Sequence, residues 1–258
     1  MQNQFSRTEL LLGEPAIEAL KRSRVAVFGV GGVGGYVVEV LARSGVGAMD
    51  LFDNDRVCIT NINRQILATH DTVGQYKVDV AIERIRSINP DCQVNGYKMF
   101  YLVSNADEVD LSVYDYVVDC IDTVSAKMEL VRRCNRLNVP IICSMGAANK
   151  LDASAFRVVD ISKTSMDPIA RVMRKRLHKD GINHFKCVYS PEIPLKPLDD
   201  NELSCPPDCQ CPDKDMNKST ARRSVPASNA FVPAAAGIIL GGEVVLDLVK
   251  NADAMRKL

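Results

Sequence analysis

The sequence predicts an α/β fold built on a doubly wound, mainly parallel sheet, and three observations predict it. Short apolar runs alternate with helix-period segments through the first 150 residues. A glycine-rich turn joins the first run to the first helix. The composition, 47% hydrophobic and 25% charged over 258 residues, is that of an ordinary globule with a sizeable core. Arg24–Gly29 (RVAVFG) is a continuous apolar run of strand length, and Val33–Arg43 carries the helical pattern behind the turn. Ala48–Asp53 is the next strand. Gly74–Ile88 is a helix closed by Asn89-Pro90, because the residue before a proline is pushed out of the helical region. Gln93–Phe100 and Tyr116–Ile121 (YVVDCI) read as strands, Val124–Leu137 as a helix and Pro140–Ser144 as a strand.

Such alternation implies right-handed crossovers, and ligands then bind beyond the carboxyl ends of the strands. The segments to inspect come after Phe28, Phe52, Ile121 and Ser144. After about Asp152 the rhythm changes. A smaller extension, residues 151–258, holds a strand (Ala155–Asp160), a basic helix (Pro168–Lys179), a strand (Phe185–Tyr189) and a terminal helix (Val232–Val249). It is expected to pack as one unit with the core at 1–150, and its Pro/Asp/Cys-rich stretch, Pro191–Thr220, reads as a mobile loop or disordered insert.

Lys+Arg 32 against Asp+Glu 32 leaves zero net charge, so the average field does not hold a polyanion. No basic segment leads into an apolar one at the amino terminus, which gives the expectation of a cytoplasmic protein. The apolar run Phe231–Leu240 is too short to span a bilayer and is interrupted beyond by Glu243 and Asp247, so no stable membrane insertion is expected. Nine cysteines without a secretory context argue for reduced thiols. Six of them (Cys58, Cys92, Cys120, Cys134, Cys143, Cys187) are scattered singly and read as small core residues.

The chemistry starts at the first turn. Gly29-Val30-Gly31-Gly32-Val33-Gly34 lets the backbone approach a phosphate while a helix amino end faces it. Asp53, about twenty residues on, can accept hydrogen bonds from ribose hydroxyls. These two features alone fit a nicotinamide-dependent dehydrogenase equally well. The next segment does not. Asp53-Asn54-Asp55-Arg56 and Thr60-Asn61-Ile62-Asn63-Arg64-Gln65, with Lys77 thirteen residues after Arg64, set an arginine, a lysine and amides beside the ribose-binding acid. A polyphosphate uses that set, because Arg forks onto phosphate oxygens and Lys supplies a point charge. Asp119 and Asp122 flank the end of YVVDCID, and either carboxylate is a candidate for a magnesium ion shared with phosphate oxygens. Asp122, beyond the strand, is the better placed.

These residues resemble a family. GVGGVG, DNDRVCITNINRQ, VGQYK and CIDT look like the adenylating domain shared by ubiquitin-activating enzymes and by the molybdopterin-synthase and thiamine-pathway adenylyltransferases. FSRTELLLG, MGAANKLD, KTSMDPIARVMRKRL, VYSPEIP and SVPASNAFVPAAAG resemble one branch, the tRNA threonylcarbamoyladenosine dehydratases, over all but about 198–220. The resemblance implies a Rossmann-like fold with ATP under Gly29, Gly31, Gly32 and Gly34 and its ribose on Asp53. It implies Asp55, Asn61, Asn63, Arg64, Gln65, Lys77, Asp122 and Thr123 around the nucleotide, with magnesium on Asp122. Arg7 corresponds to an arginine that reaches across a homodimer into the partner's site, so that Arg7, Arg64, Lys77 and Asp122 are the expected catalytic set. Ala227 departs from the glycine many relatives carry there.

The implied reaction is adenylation of the threonyl carboxylate next to the anticodon, followed by attack from a nitrogen or oxygen of the same arm. The rival is activation of a ubiquitin-like sulfur carrier. Relatives of that kind commonly hold zinc with two CxxC pairs, and here Cys205, Cys209 and Cys211 form C-x3-C-x-C instead. A third reading is a nucleotide-sensing module without adenylation. Over residues 163–186 seven Lys/Arg stand against two acids, which makes Arg171, Arg174, Lys175, Arg176 and Lys179 candidates for tRNA contact.

Overall fold

The computed structural model describes residues 2–198 and 226–255. The strands are β1 (Arg24–Phe28), β2 (Ala48–Phe52), β3 (Gln93–Tyr97), β4 (Tyr116–Asp119), β5 (Ile141–Ser144), β6 (Arg157–Asp160) and β7 (Lys186–Tyr189). The helices are α1 (Ser6–Leu12), α2 (Glu14–Arg22), α3 (Gly34–Ser44), α4 (Lys77–Ile88), α5 (Val124–Leu137), α6 (Pro168–Leu177) and α7 (Val232–Asn251). The strands form one sheet in the order β3-β2-β1-β4-β5-β7-β6, with every neighbour parallel except the β6–β7 pair. Chain order reverses between β1 and β4, so a crevice opens there above the carboxyl ends. Residues beyond Asp152 add β6 and β7 to this sheet and α7 to its cover.

Several elements are shorter than the sequence suggests. Gly29 turns the chain out of β1 with φ of 85°, and β4 stops at Asp119 because Cys120 bends over the same rim. α4 starts at Lys77 rather than Gly74: Gly74 has φ of 88° and Tyr76 is extended, bridging antiparallel to Arg56. β3 ends at Tyr97 because its one neighbour, β2, ends at Phe52. β6 starts at Arg157, since Ala153–Ala155 is a 3₁₀ turn, and α6 gives way to another at His178–Asp180. The two amino-terminal helices are short and are separated by Gly13 at φ of 93°; α2 is amphipathic, with Ala16, Ile17, Ala19 and Leu20 on its buried face.

One face of the sheet packs on α3, α4 and α7, through residues such as Val27, Leu51, Val37, Leu41, Val78, Ile85, Ala236 and Leu240. The other face packs on α5, where Phe28, Phe52 and Tyr97 stack in register across three strand ends with ring centroids 4.3 and 4.6 Å apart. A third cluster lies under α6 and holds Cys143 and Cys187, which are register partners on β5 and β7. α7 is long and apolar enough by composition to cross a membrane. Its buried stripe, Ala236, Leu240, Val244 and Leu248, instead lies in the protein core. The approach to α3 is close: a Cβ on Gly237 would lie 2.3 Å from Val33 O, and one on Gly241 2.7 Å from Val40 Cβ.

Candidate active site

The first turn crosses the rim between β1 and β4. A Cβ on Gly29 would lie 2.8 Å from the Cys120 carbonyl, and one on Gly34 only 1.8 Å from the Gly29 carbonyl. These two positions accept no side chain. At Gly31 a Cβ would meet nothing nearer than Gln65 Nε2 at 3.7 Å, and at Gly32 it would meet Pro233 Cβ at 3.3 Å. Gly31 therefore leaves room above the turn, where α3 presents its amino end to an anion.

Asp53 ties this turn to the next loop. Its Oδ2 accepts from Val30 N at 2.9 Å and its Oδ1 from Asp55 N at 2.8 Å. Burial pushes its carboxyl above the usual range, and the Lys77 ammonium opposes that. Lys77 is 5% exposed at the start of α4 and donates to Asp55 Oδ2 at 2.6 Å. The glycine turn, Asp53, Asp55 and Lys77 thus form one connected unit.

Arg64 stands against Gly32, its Cγ 3.6 Å from where a Cβ would be. Its guanidinium donates to Thr60 O at 3.0 Å and Asn63 Oδ1 at 2.9 Å, and it makes no ion pair among the described residues. Burial holds its pKa below the ordinary arginine value. A half-buried cation with no counterion beside a phosphate-type turn favours a bound anion. The amides expected near the phosphates also make local bonds. Asn61 Oδ1 accepts from Cys58 N at 3.1 Å, and Asn63 Nδ2 donates to Ser228 O at 3.1 Å. Gln65 is buried beside Gly31 with its Oε1 unpartnered. Such an atom has lost water without gaining a donor, and a ligand hydroxyl or ordered water would satisfy it.

The two acids after β4 are sharply different. Asp119 is fully buried, 2.8 Å from Lys127 Nζ, and accepts from Ile121 N at 3.1 Å. Asp122 is exposed, and Thr123 Oγ1 donates to it at 3.3 Å. Its donor set fits magnesium, a hard cation that takes one or two carboxylates and leaves its other positions to phosphate and water. No group of three or more His, Cys, Asp or Glu is placed to hold a metal among the described residues. Cys205, Cys209 and Cys211 lie outside those residues.

The remaining wall follows β5. Lys150, 2% exposed, donates to Gly146 O at 2.8 Å and Ser190 O at 3.1 Å, and lies 3.3 Å from Asp167 Oδ2. Asp167 in turn caps α6 through Ala170 N. Asn149, at φ of 61°, exchanges bonds with the backbone of Ala227 in both directions, so alanine is accommodated where relatives carry glycine. Glu192 accepts from Leu151 N and Asp152 N at 2.8 and 3.0 Å, and Leu195 N donates to Asn149 O. Glu192 and Leu195, within the stretch read as a loop, are thus bonded to this wall. From residue 199 on, that stretch lies outside the described residues. Lys150, Glu192 and Asn229 were missed at the sequence level, since each sits in a loop without periodicity.

Arg171, Lys175 and Arg176 are exposed on the side of α6 opposite its buried Ala170, Met173 and Leu177, and Lys179 is exposed in the 3₁₀ turn that follows. Arg174 is half-buried and bonds Thr164 O and Oγ1, so it is the least available of the five tRNA candidates. Arg7 is exposed on α1 and stands apart. Phe5, two residues before it, packs on Gly45 at the carboxyl end of α3, while the glycine turn lies at the other end, about 16 Å away. Five of the six scattered cysteines are buried, and Cys120, half-buried at the rim, packs against the main core.

The profile of the ThiF family matches residues 5–248. The chain is 46% identical over 257 residues to the tRNA threonylcarbamoyladenosine dehydratase of Bacillus subtilis (strain 168), covering 99% of this chain and 98% of that protein. It is 39% identical over 210 residues to the protein of that name from Escherichia coli (strain K12), 78% of each. The crystal structure of the E. coli tRNA N6-threonylcarbamoyladenosine dehydratase in complex with ATP matches with a TM-score of 0.82 at 33% identity, over 97% of this chain and 95% of that one.

Proposed function

The chain belongs to the ThiF family, in the branch of the tRNA threonylcarbamoyladenosine dehydratases, and from that premise we propose how its residues use ATP to cyclise N6-threonylcarbamoyladenosine in tRNA with net loss of water. One observation carries the chemical reading: Arg64, half-buried against the glycine turn, has no carboxylate partner among the described residues. A hydride-transfer site has no use for such a cation. Moving a carboxylate onto the α-phosphate brings anion to anion, and preorganised positive charge offsets that repulsion.

In this reading residues 1–150 form the adenylation core and residues 151–258 supply the substrate side. The turn from Gly29 to Gly34 cradles the phosphates and Asp53 holds the ribose. Arg64 and Lys77 face the transferring phosphate and the departing pyrophosphate, with Asp55 holding Lys77 until nucleotide arrives. Asn61, Asn63, Gln65 and Thr123 frame the nucleotide. Magnesium, held by Asp122, would neutralise phosphate charge. Arg7 acts from the second subunit of a homodimer, since it stands far from its own turn. The acyl-adenylate makes AMP a good leaving group, and a nitrogen or oxygen of the same arm closes the ring. Holding both reacting groups on one arm supplies much of the rate by proximity, so no enzyme nucleophile is needed. The basic side of α6 meets the tRNA backbone, and a tRNA substrate places the protein in the cytoplasm.

Purified protein is incubated with ATP, magnesium and tRNA bearing the threonylcarbamoyl group, and nucleosides are analysed by mass spectrometry. Loss of one water from the modified adenosine, with release of AMP and pyrophosphate, is the expected result; an unchanged nucleoside rejects the reading. A small carrier protein ending in Gly-Gly, supplied in place of RNA, is expected to support no pyrophosphate exchange.

A further inference from the structure

We propose that Phe231 is the platform on which the substrate nucleobase stacks while its side arm reaches the nucleotide. The inference rests on the reading of the substrate as RNA. Phe231 precedes α7 and is 52% exposed, whereas Val232, next in sequence, is 1% exposed. An exposed phenyl ring is usually found on a mobile segment, and this one is held by a bonded frame. Asn229 Oδ1 accepts from Phe231 N at 3.2 Å and Val232 N at 2.9 Å, and Asn229 Nδ2 donates to Lys150 O at 2.9 Å. Lys150 is itself fixed from below by Gly146, Ser190 and Asp167. On the other side Ser228 O accepts from Asn63, the neighbour of Arg64.

The position matches the length of the arm. Pro233 lies two residues from Phe231 and its Cβ is 3.3 Å from where a Gly32 Cβ would be, so it touches the phosphate-type turn. Two residues span at most about 7 Å. The carbamoyl and threonyl groups together are about two peptide units long, so a carboxylate at the α-phosphate leaves its adenine about 7 Å away or less. Phe231 and the base are thus both within about 7 Å of the glycine-turn region, so the ring lies within reach of the arm's far end. A base next to an anticodon is unpaired, and proteins commonly hold such bases by stacking them on an aromatic ring.

The chain contains no tryptophan, so F231W introduces a single indole reporter. On saturation with tRNA carrying the threonylcarbamoyl group, with binding verified by the anisotropy of labelled tRNA, its emission is expected to fall by about half or more. Emission unchanged at saturation overturns the proposal. In steady state F231A is expected to raise the KM for tRNA roughly 5- to 100-fold, with the Kd for ATP, the Tm and the oligomeric state unchanged. F231W keeps the wild-type KM, while F231L, which fills the same volume without a π face, resembles F231A. Wild-type KM in F231A, equal behaviour of F231L and wild type, or loss of the oligomer in F231A each overturns the stacking role. A wild-type protein that fails to dehydrate the nucleoside fails the broader reading instead, and the two failures are therefore distinguishable.

Discussion

Arg64 and Lys77 are the two cations at the turn, and they differ in what their removal costs the fold. Among the described residues Arg64 has no acid to leave unpaired, and burial works against its charge. R64A is therefore expected to keep the wild-type Tm while losing on the order of 10² to 10³ in turnover, the scale of deleting one transition-state charge donor. K77A should lose as much turnover and also lower the Tm, because it strips Asp55 of its partner and empties a buried space. Wild-type turnover in R64A would remove the central assignment. The thiols give a pH prediction. Burial pushes Cys92, Cys134 and Cys187 up to about 12, while an unfolded thiol ionises near 8.5. Stability from these groups is thus fully present below about pH 8.5 and is lost as pH rises toward about 12. The Tm should fall across that window, and iodoacetamide at pH 9 should leave all three unlabelled in the native protein. Native labelling of Cys187 would contradict its buried place between β5 and β6.

Among elements, the glycine turn separates structural from functional glycines. G34A puts a Cβ 1.8 Å from Gly29 O, so the turn cannot close and the Tm should drop sharply together with ATP binding. G31A meets nothing closer than 3.7 Å, so the fold should persist while the added methyl obstructs the phosphates. Calorimetry with and without ATP checks both, and equal melting of the two variants would refute the division. That spacing was legible in the sequence, but the difference between the four glycines was not, since it depends on Cys120 and Pro233 arriving from distant segments. Lys127 carries a signal that periodicity alone could have shown. It lies on the apolar stripe of α5 with Leu130, Val131 and Cys134, and a charge in that stripe announces a buried partner, here Asp119. For α6 the periodicity fixed the buried side, and the exposed Arg171, Lys175, Arg176 and Lys179 remain for phosphate. Replacing all four by glutamine is expected to lower the slope of log binding against log salt by about three, with ATP binding intact. An unchanged slope would place the RNA elsewhere.

At the scale of the molecule, the alternation of apolar runs sufficed for a doubly wound sheet, because parallel strands buried on both faces need continuous apolar sequence. That pattern gave β6 as a strand but not its antiparallel direction, which is set by pairing with β7, and it did not mark off the short helices α1 and α2. α1 matters for assembly. It buries none of its residues, leaving Leu10 and Leu11 80% and 70% exposed beside Arg7. A second copy that covers this helix would carry Arg7 toward the partner's glycine turn, and each site would then need two chains. R7A and K77A should each be nearly inactive alone. Mixed and allowed to exchange subunits, they form heterodimers in which one site has lost both residues and the other retains both. If half of the dimers are mixed, one intact site in two then gives about a quarter of wild-type activity. Acting within its own chain, Arg7 would leave every site of the mixture with one defect, and no activity would return after exchange verified by mass spectrometry.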